Sequence, residues 1–403
     1  MGAICTTAAP TAAQRTDEDR EKSRQRMAIE RRNSHQANIH VVNPDIIVHT
    51  VVTGEMDHDH VASMMIPLGE CSDEQLLAEV ARRKLDLHDK ITDSVVKETY
   101  EFGKVLGHGA SGEVVLATHK ATKKTFACKV VRKDAKMNDA QSMSTEIEIM
   151  KRIRHRNVVS MYELFETPKC LWIILELVNN GGLHHYMAQV EVYSERLLSG
   201  FLRQILAGVH YLHASGVVHR DLKIDNILTS GSGPSIDVKI ADFGLSALVR
   251  VGEDGYDINE STKRKNYKLL TEMWGTKEYF APELIDQAYG PQADLWALGC
   301  ILFEMLCGHQ AFPIRERDDE ESFYGRIQRG GYELTRPVWK KVSGDARDLV
   351  QKLLVVDPLK RLSASEAERH PWVTSASVSN EHITDAHAVI RSRYLERRNK
   401  AKR

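Results

Sequence analysis

Three short runs, met in one order, leave few folds open to this sequence: H-R-D-L-K-I-D-N at His219–Asn226, A-D-F-G at Ala241–Gly244 and A-P-E at Ala281–Glu283. A fixed letter is matched by chance about one time in twenty, so roughly ten such letters in order exclude coincidence. The apolar patterning around them is equally directional. From Tyr100 to about Val131 apolar residues alternate around glycine-rich turns, which predicts strands, and helical periodicity prevails from Val192 to Trp372. Strands first and helices later predict an α+β fold with two unequal lobes.

Ahead of these runs stands G-H-G-A-S-G-E-V, with Gly107, Gly109 and Gly112 in a strand-turn-strand context and Val114 opening the second strand. Glycines let the backbone approach phosphates without Cβ obstruction. Dinucleotide-binding folds use similar glycines, but there the third leads into a helix, whereas V-V-L-A here reads as a strand. Beyond the loop, F-A-C-K places Lys129 within reach of the α and β phosphates of a nucleotide, and Glu146, on the next helical stretch, is its natural counter-ion. Taken alone, such a lysine and glutamate read as an ordinary surface ion pair. The ordered runs change that reading.

With these motifs in place, the sequence resembles the protein kinase superfamily over about Tyr100 to Trp372. Later markers agree: Asp294, Trp296 and Gly299 in D-L-W-A-L-G, and Arg361 in D-P-L-K-R-L-S-A-S-E. The resemblance implies the bilobal kinase fold, with a small antiparallel sheet lobe and one major helix over about 98–178 and a larger, mainly helical lobe over 179–373. It implies ATP and Mg²⁺ as cofactors and protein Ser/Thr hydroxyls as acceptors. Asp221 would take the substrate hydroxyl proton, Lys223 would neutralise charge on the moving phosphoryl group, and Asn226 and Asp242 would hold Mg²⁺. Val114, Ala127 and Leu228 match the apolar sandwich for adenine, Glu176 to Val178 match the hinge, and Leu175 falls at the gatekeeper position. Each of these apolar residues, taken singly, reads equally well as core. Arg361 is expected to pair with Glu283 and tie the activation segment to the large lobe.

Lys223, with Gly275 and Thr276, is similar to serine/threonine rather than tyrosine kinases, and L-L-V-V-D-P-L-K-R-L-S-A-S-E resembles the calcium/calmodulin-dependent kinase group. Two departures stand out. Gly182 occupies the place where basophilic members carry a Glu, which weakens the expectation of an arginine upstream of the target, although Asp225 keeps an acid in the catalytic loop. Lys277 replaces the proline of the G-T-P-E-Y loop. Four residues before Thr276, where relatives place a phosphothreonine, stands Glu272, an arrangement similar to the catalytic subunit of phosphorylase kinase. A carboxylate there gives Arg220 a permanent partner where phosphate supplies about −1.5 to −2 on demand. The expectation is basal activity; the alternative is a solvated Glu272 with Thr271, Ser261 or Thr262 phosphorylated instead. A catalytically inactive scaffold would have lost Lys129, Asp221, Asn226 or Asp242, and all four are present.

The flanks are read from composition. With 55 Lys+Arg against 56 Asp+Glu there is no global field to draw the chain to nucleic acid. Residues 1–97 form an N-terminal extension, largely disordered, with short β-branched runs between Ile39 and Leu68 and a helix expected near 73–88 from the capping pair Ser72 and Gln75. M-G-A-I-C-T fits myristoylation of Gly2 with Cys5 open to palmitoylation, or is a chance match. The six cysteines lie at no metal-binding spacing, and no secretory h-region is present, so a cytoplasmic protein is expected, membrane-associated if acylated. In the basic tail, 374–403, Val389, Ile390 and Tyr394 share a face that invites a calmodulin-like regulator. Few bulky anchors favour a solvated charged helix instead.

Overall fold

The computed structural model describes residues 47–49, 93–109, 112–133, 140–167, 169–232, 235–249 and 269–400. The expected 73–88 helix, most of the β-branched runs, Gly2, Cys5, Ser261 and Thr262 lie outside the described residues.

The first lobe is built on one sheet. Strands β1 (Ile47–His49), β2 (Tyr100–Gly109), β3 (Gly112–His119), β4 (Thr125–Arg132), β5 (Met161–Glu166) and β6 (Cys170–Leu175) lie in the order β1-β5-β6-β4-β3-β2. Five of them pair antiparallel; β1 is added in parallel along β5, with Val48 opposite Leu164. The expected antiparallel sheet is thus present in five strands, and one strand from the N-terminal extension is added at its edge. Alternation decides which faces are buried: Ala117, Cys128, Phe165 and Ile174 pack with Tyr100 and Val96. Val96 belongs to helix α1 (Asp93–Thr99), so the lobe begins several residues before the expected boundary at 98. Gly112 is required by the close approach of β4, since a Cβ there would sit 2.2 Å from the Val130 carbonyl oxygen. Helix α2 (Ala140–Arg152) turns Ile149 and Met150 into the core.

The second lobe follows α3 (Leu183–Gln189). In α4 (Glu195–Ala214) Ser194 caps the N-terminus by accepting the Leu197 N–H, and Leu198, Leu202, Ile205, Val209 and Leu212 recur on one buried face. Helix α5 (Pro282–Ile285) is a single turn, and α6 (Gln292–Cys307) is buried on every side from Ala293 to Cys307, the signature of a helix at the centre of a lobe. It ends where Gly308 takes the left-handed conformation, φ 78°. Helix α8 (Gly344–Leu353) packs on it, α7 (Glu320–Gln328) packs on α5, and α9 (Ala364–Glu368) and α10 (Pro371–Thr374) pack on α4. Short strands β7 (Val217–Val218) and β10 (Ala247–Leu248) pair, as do β8 (Ile227–Ser232) and β9 (Ser235–Ile240), framing the loops that carry the ordered runs.

The tail differs from the solvated helix expected of it. Helix α11 (Thr384–Lys400) packs on α3 and α6, with Ile383, Ala386 and Ile390 buried. Three small contacts recur at helical spacing, too few to stand out among the five arginines and lysines of the helix but enough to give it a core face. Among the described residues no helix is long and apolar enough to cross a membrane.

Candidate active site

The site lies between the edges of β3 and β4 and the loops around β7 to β9. Antiparallel register sets Val114 opposite both Gly107 and Lys129, and Ala127 opposite Leu175. The glycine loop and the lysine strand are therefore adjacent by sheet geometry. Leu228 bridges to Gly182, on the far side of the segment that follows Val178. The Glu176 carboxylate is engaged by Lys239 at 2.9 Å, so what this residue offers a base edge is main chain.

Lys129 is 5% exposed, and its Nζ donates to Glu146 Oε1 at 2.6 Å and to Asp242 Oδ1 at 3.1 Å. Burial alone would lower its pKa; the carboxylates of Glu146 and Asp242 outweigh burial and hold it above the usual lysine value. For Asp242 burial pushes upward, and Lys129, with help from His219 and the Gly244 N–H, leaves the carboxyl below its usual range. Lys129 and Asp242 thus face each other as a charged pair. Helix α2 supplies the glutamate, β4 the lysine, and the A-D-F-G turn the aspartate, whose backbone is held at φ 64°.

The second cluster surrounds Asp221. Lys223 Nζ donates to its Oδ2 at 2.7 Å, Asn226 Nδ2 to its Oδ2 at 3.1 Å and to its carbonyl at 2.9 Å, and Thr276 Oγ1 to its Oδ1 at 2.7 Å. Lys223 also reaches Thr276 Oγ1 at 3.0 Å. A buried carboxylate, an ammonium and an amide on one turn form a place for a hydroxyl to be oriented and deprotonated. The sequence predicts these residues but not these bonds: Thr276, expected as a mark of serine/threonine similarity, sets its hydroxyl on Asp221.

What fixes this loop was also missed. Asp294, noted only as a late marker, accepts the backbone N–H of His219 at 2.9 Å and of Arg220 at 3.0 Å, and meets His213 Nε2 at 2.8 Å. Burial would raise its pKa, but His213 and the other donors keep it lowered. One fully buried carboxylate therefore holds two successive peptides of the H-R-D run, with Arg220 at φ 68°.

Arg220 donates to the carbonyls of Leu245 and Ser246, and its Nη1 lies 3.5 Å from Glu272 Oε2. Glu272 is 55% exposed at its side chain, and its carboxylate also accepts the Thr271 N–H at 3.3 Å. Thr271 is exposed. Deeper, Glu283 takes both arms of Arg361, at 2.6 and 2.9 Å, and Arg361 further donates to the carbonyls of Gln292, Val355 and Val356.

The tail reaches this neighbourhood from the other side. Arg393 Nη1 contacts Glu304 at 2.8 Å beside the Tyr279 hydroxyl, Arg397 contacts Asp225 of the catalytic loop at 2.8 Å, and the Tyr394 hydroxyl meets His185. Asp225, the acid that the sequence keeps in the catalytic loop, is held by the chain's own Arg397.

Among the described residues no group of three or more His, Cys, Asp and Glu forms a metal cage. One carboxylate and one amide, Asp242 and Asn226, suit Mg²⁺, a hard cation that keeps oxygen ligands from water and phosphate rather than from a protein-only site. The donor set fits that ion.

The protein kinase domain model matches residues 100–373. Calcium/calmodulin-dependent protein kinase type IV of Homo sapiens is 37% identical over 307 residues, covering 76% of this chain and 61% of that protein. Myosin light chain kinase A of Dictyostelium discoideum is 34% identical over 71% of this chain and 91% of its own length, and calcium/calmodulin-dependent protein kinase type 1 of Caenorhabditis briggsae is 30% identical over 79% and 84%. The chain spans about three fifths of the length of the type IV relatives it matches. The α+β bilobal architecture, the match over 100–373 and these relatives agree, and the chain belongs to the protein kinase family, in its calcium/calmodulin-dependent-kinase-like group.

Proposed function

We propose that this chain is an active ATP-dependent serine/threonine protein kinase. The observation that carries the reading is the charged pair of clusters, Lys129 with Glu146 and Asp242, and Asp221 with Lys223, Asn226 and Thr276. In-line phosphoryl transfer asks for placed charge more than covalent chemistry. Lys129 holds the α and β phosphates, oriented by Glu146. Asp221 orients the substrate hydroxyl and takes its proton as the oxygen bonds to γ-phosphorus and ADP departs, and Lys223 offsets the charge spreading over the transferred group. Asp242 and Asn226 would hold Mg²⁺, which would supply positive charge against the charge developing on the phosphates. Gly107, Gly109 and Gly112 cover the phosphates, and Val114, Ala127 and Leu228 enclose the adenine beside Leu175 and the Glu176–Val178 main chain.

In this reading Glu272 supports basal activity by partnering Arg220, and Thr271 contributes to that hold through its backbone N–H alone, not its hydroxyl. The 3.5 Å contact supports it, and its exposure makes the pair modest, about 0–1 kcal/mol. The docked tail, with Arg397 on Asp225, supports control by whatever lifts α11, a calmodulin-like protein among the candidates given the names of the relatives. Acylation at Gly2 and Cys5, with membrane association of a cytoplasmic enzyme, is proposed on sequence alone.

The test is transfer of labelled γ-phosphate to a basic protein by purified wild type, with Asp242→Ala as the blank; equal labelling by both contradicts an active kinase and leaves a scaffold. Glu272→Ala is expected to lower turnover and Thr271→Ala to leave it. Loss at 271 with silence at 272 sinks the switch reading.

A further inference from the structure

The C-terminal helix is fastened at its start by two histidines that the proposed reaction does not use. His382, exposed, bridges Ser194, and its Nδ1 accepts the Tyr193 N–H at 3.0 Å. A ring nitrogen that accepts carries no proton, so neutral His382 holds its proton on Nε2. That Nε2 lies 3.2 Å from Nδ1 of His387, which must then accept in its turn. His387 is 4% exposed and stacks on Tyr193 with ring centroids 5.0 Å apart and planes within 8°. The donor chain therefore runs from the Tyr193 N–H through His382 to His387, and it works only while both rings are neutral. A proton added to Nδ1 of His382 faces the Tyr193 N–H; a proton added to Nδ1 of His387 faces the N–H of His382.

The surroundings give an added charge no free carboxylate to pair with, and the Met187 backbone, which favours the charged ring of His387, is outweighed by burial. Arg391, one turn along α11, is of the same sign. Asp385, between the two histidines in sequence, is taken by Lys341 at 2.8 Å. Glu304 is held by Arg393 and Tyr279, and the Tyr193 hydroxyl is committed to the Met305 carbonyl. Ser194 Oγ donates to Asn380. Arg196 is bound to the Val378 carbonyl, and Glu381 is exposed. Cys307, on α6 near Tyr193, has its thiol pushed up to about 12 by burial and stays neutral. Farther along α11, His185 meets Tyr394, and His184 lies 3.7 Å from Asp225.

We propose that His382 and His387 form a proton-operated latch, closed when both are neutral, which on acidification frees α11 and withdraws Arg393 and Arg397 from Glu304 and Asp225. The inference builds on the tail's proposed role in control, but it concerns docking and is read without any phosphorylation. Burial first, then His382 and Arg391, hold the His387 pKa below the usual histidine value. A group whose docked pKa is depressed gives docking its full strength above the undocked pKa of about 6.5, and that strength is lost as pH falls through it. Each unit of depression multiplies the released fraction about tenfold once the pH is below both values.

The experiment is hydrogen exchange of the α11 amides in the full chain from about pH 7.5 to about pH 5.5, divided by intrinsic rates and referred to α4. It is run on wild type and on His382→Asn/His387→Gln, whose amides reproduce the donor chain without titrating. His184 and His185 are present in both, so their effect cancels. Wild type is expected to lose protection severalfold to tenfold as the pH drops, and the variant to keep it. Protection that persists in wild type, or falls equally in both, overturns the latch. If the variant is undocked at neutral pH, the titration of the His387 ring in wild type decides by NMR: a midpoint below that of a free histidine, coincident with release of α11, is expected, and a midpoint at or above it overturns the proposal. Either failure leaves the kinase reading untouched.

Discussion

Arg361→Ala removes the partner of a carboxylate that is almost wholly buried. Arg361 is 0% exposed, and both its arms lie on Glu283 at 2.6 and 2.9 Å. Losing one member of such a pair costs about 3–5 kcal/mol, because Glu283 stays buried without its counter-charge. The carbonyls of Gln292, Val355 and Val356 lose a donor as well, and the guanidinium no longer lies 5.1 Å over the Trp296 ring. Against a whole-chain stability of about 5–15 kcal/mol this is a large fraction. Urea unfolding followed by tryptophan fluorescence reads it directly, since Trp296, Trp339 and Trp372 are all buried in this lobe. With a slope of about 3 kcal/mol per molar, the midpoint falls by about 1 to 1.7 M. Replacing both partners by Arg361→Met and Glu283→Leu is expected to recover more than half of the loss, because no charge is then stranded. A single variant within about 1 kcal/mol of wild type, or a double variant with the summed cost of its parts, refutes the argument.

Other consequences are as specific. Asp242 has a lowered pKa, so its tie to Lys129 contributes fully above about pH 4 and is lost as acid protonates it; acid unfolding of Asp242→Asn should lack this component. Gly112→Ala forces a Cβ to 2.2 Å from the Val130 carbonyl and is expected to cost about 1–3 kcal/mol in the first lobe, read as a drop in melting temperature. Asp294→Ala strands two loop N–H groups and His213; turnover on a peptide is expected to fall at least about tenfold with the nucleotide KM little changed.

Much of the site is legible in the letters because single residues must sit in single places. Lys129 and Glu146 meet at 2.6 Å as their separate strand and helix foretell, and Arg361 meets Glu283 as expected. Other parts depend on contacts that no local pattern encodes. Asp294 reaches back to residues 75 and 74 positions earlier, and Thr276 to one 55 earlier, so neither bond leaves a periodic trace. The tail deceived for a different reason. Its docking side combines Ile383, Ala386 and Ile390 with Arg393 and Arg397, and arginines that seat on Glu304 and Asp225 look, in sequence, like arginines turned to water. Strand β1 is read from three residues whose partner, β5, lies more than a hundred positions away, and Val96 gains its meaning only from a core assembled by later strands.

Phosphoryl transfer by this chain requires an ammonium, two carboxylates and an amide gathered about one nucleotide. A crystal structure with Mg²⁺ and a non-hydrolysable ATP analogue tests this most directly. The expected result is Lys129 on the α and β phosphates, the metal bound by Asp242 and Asn226, and the terminal phosphate facing Asp221. A nucleotide bound elsewhere, or held with these four side chains turned away from its phosphates, contradicts it.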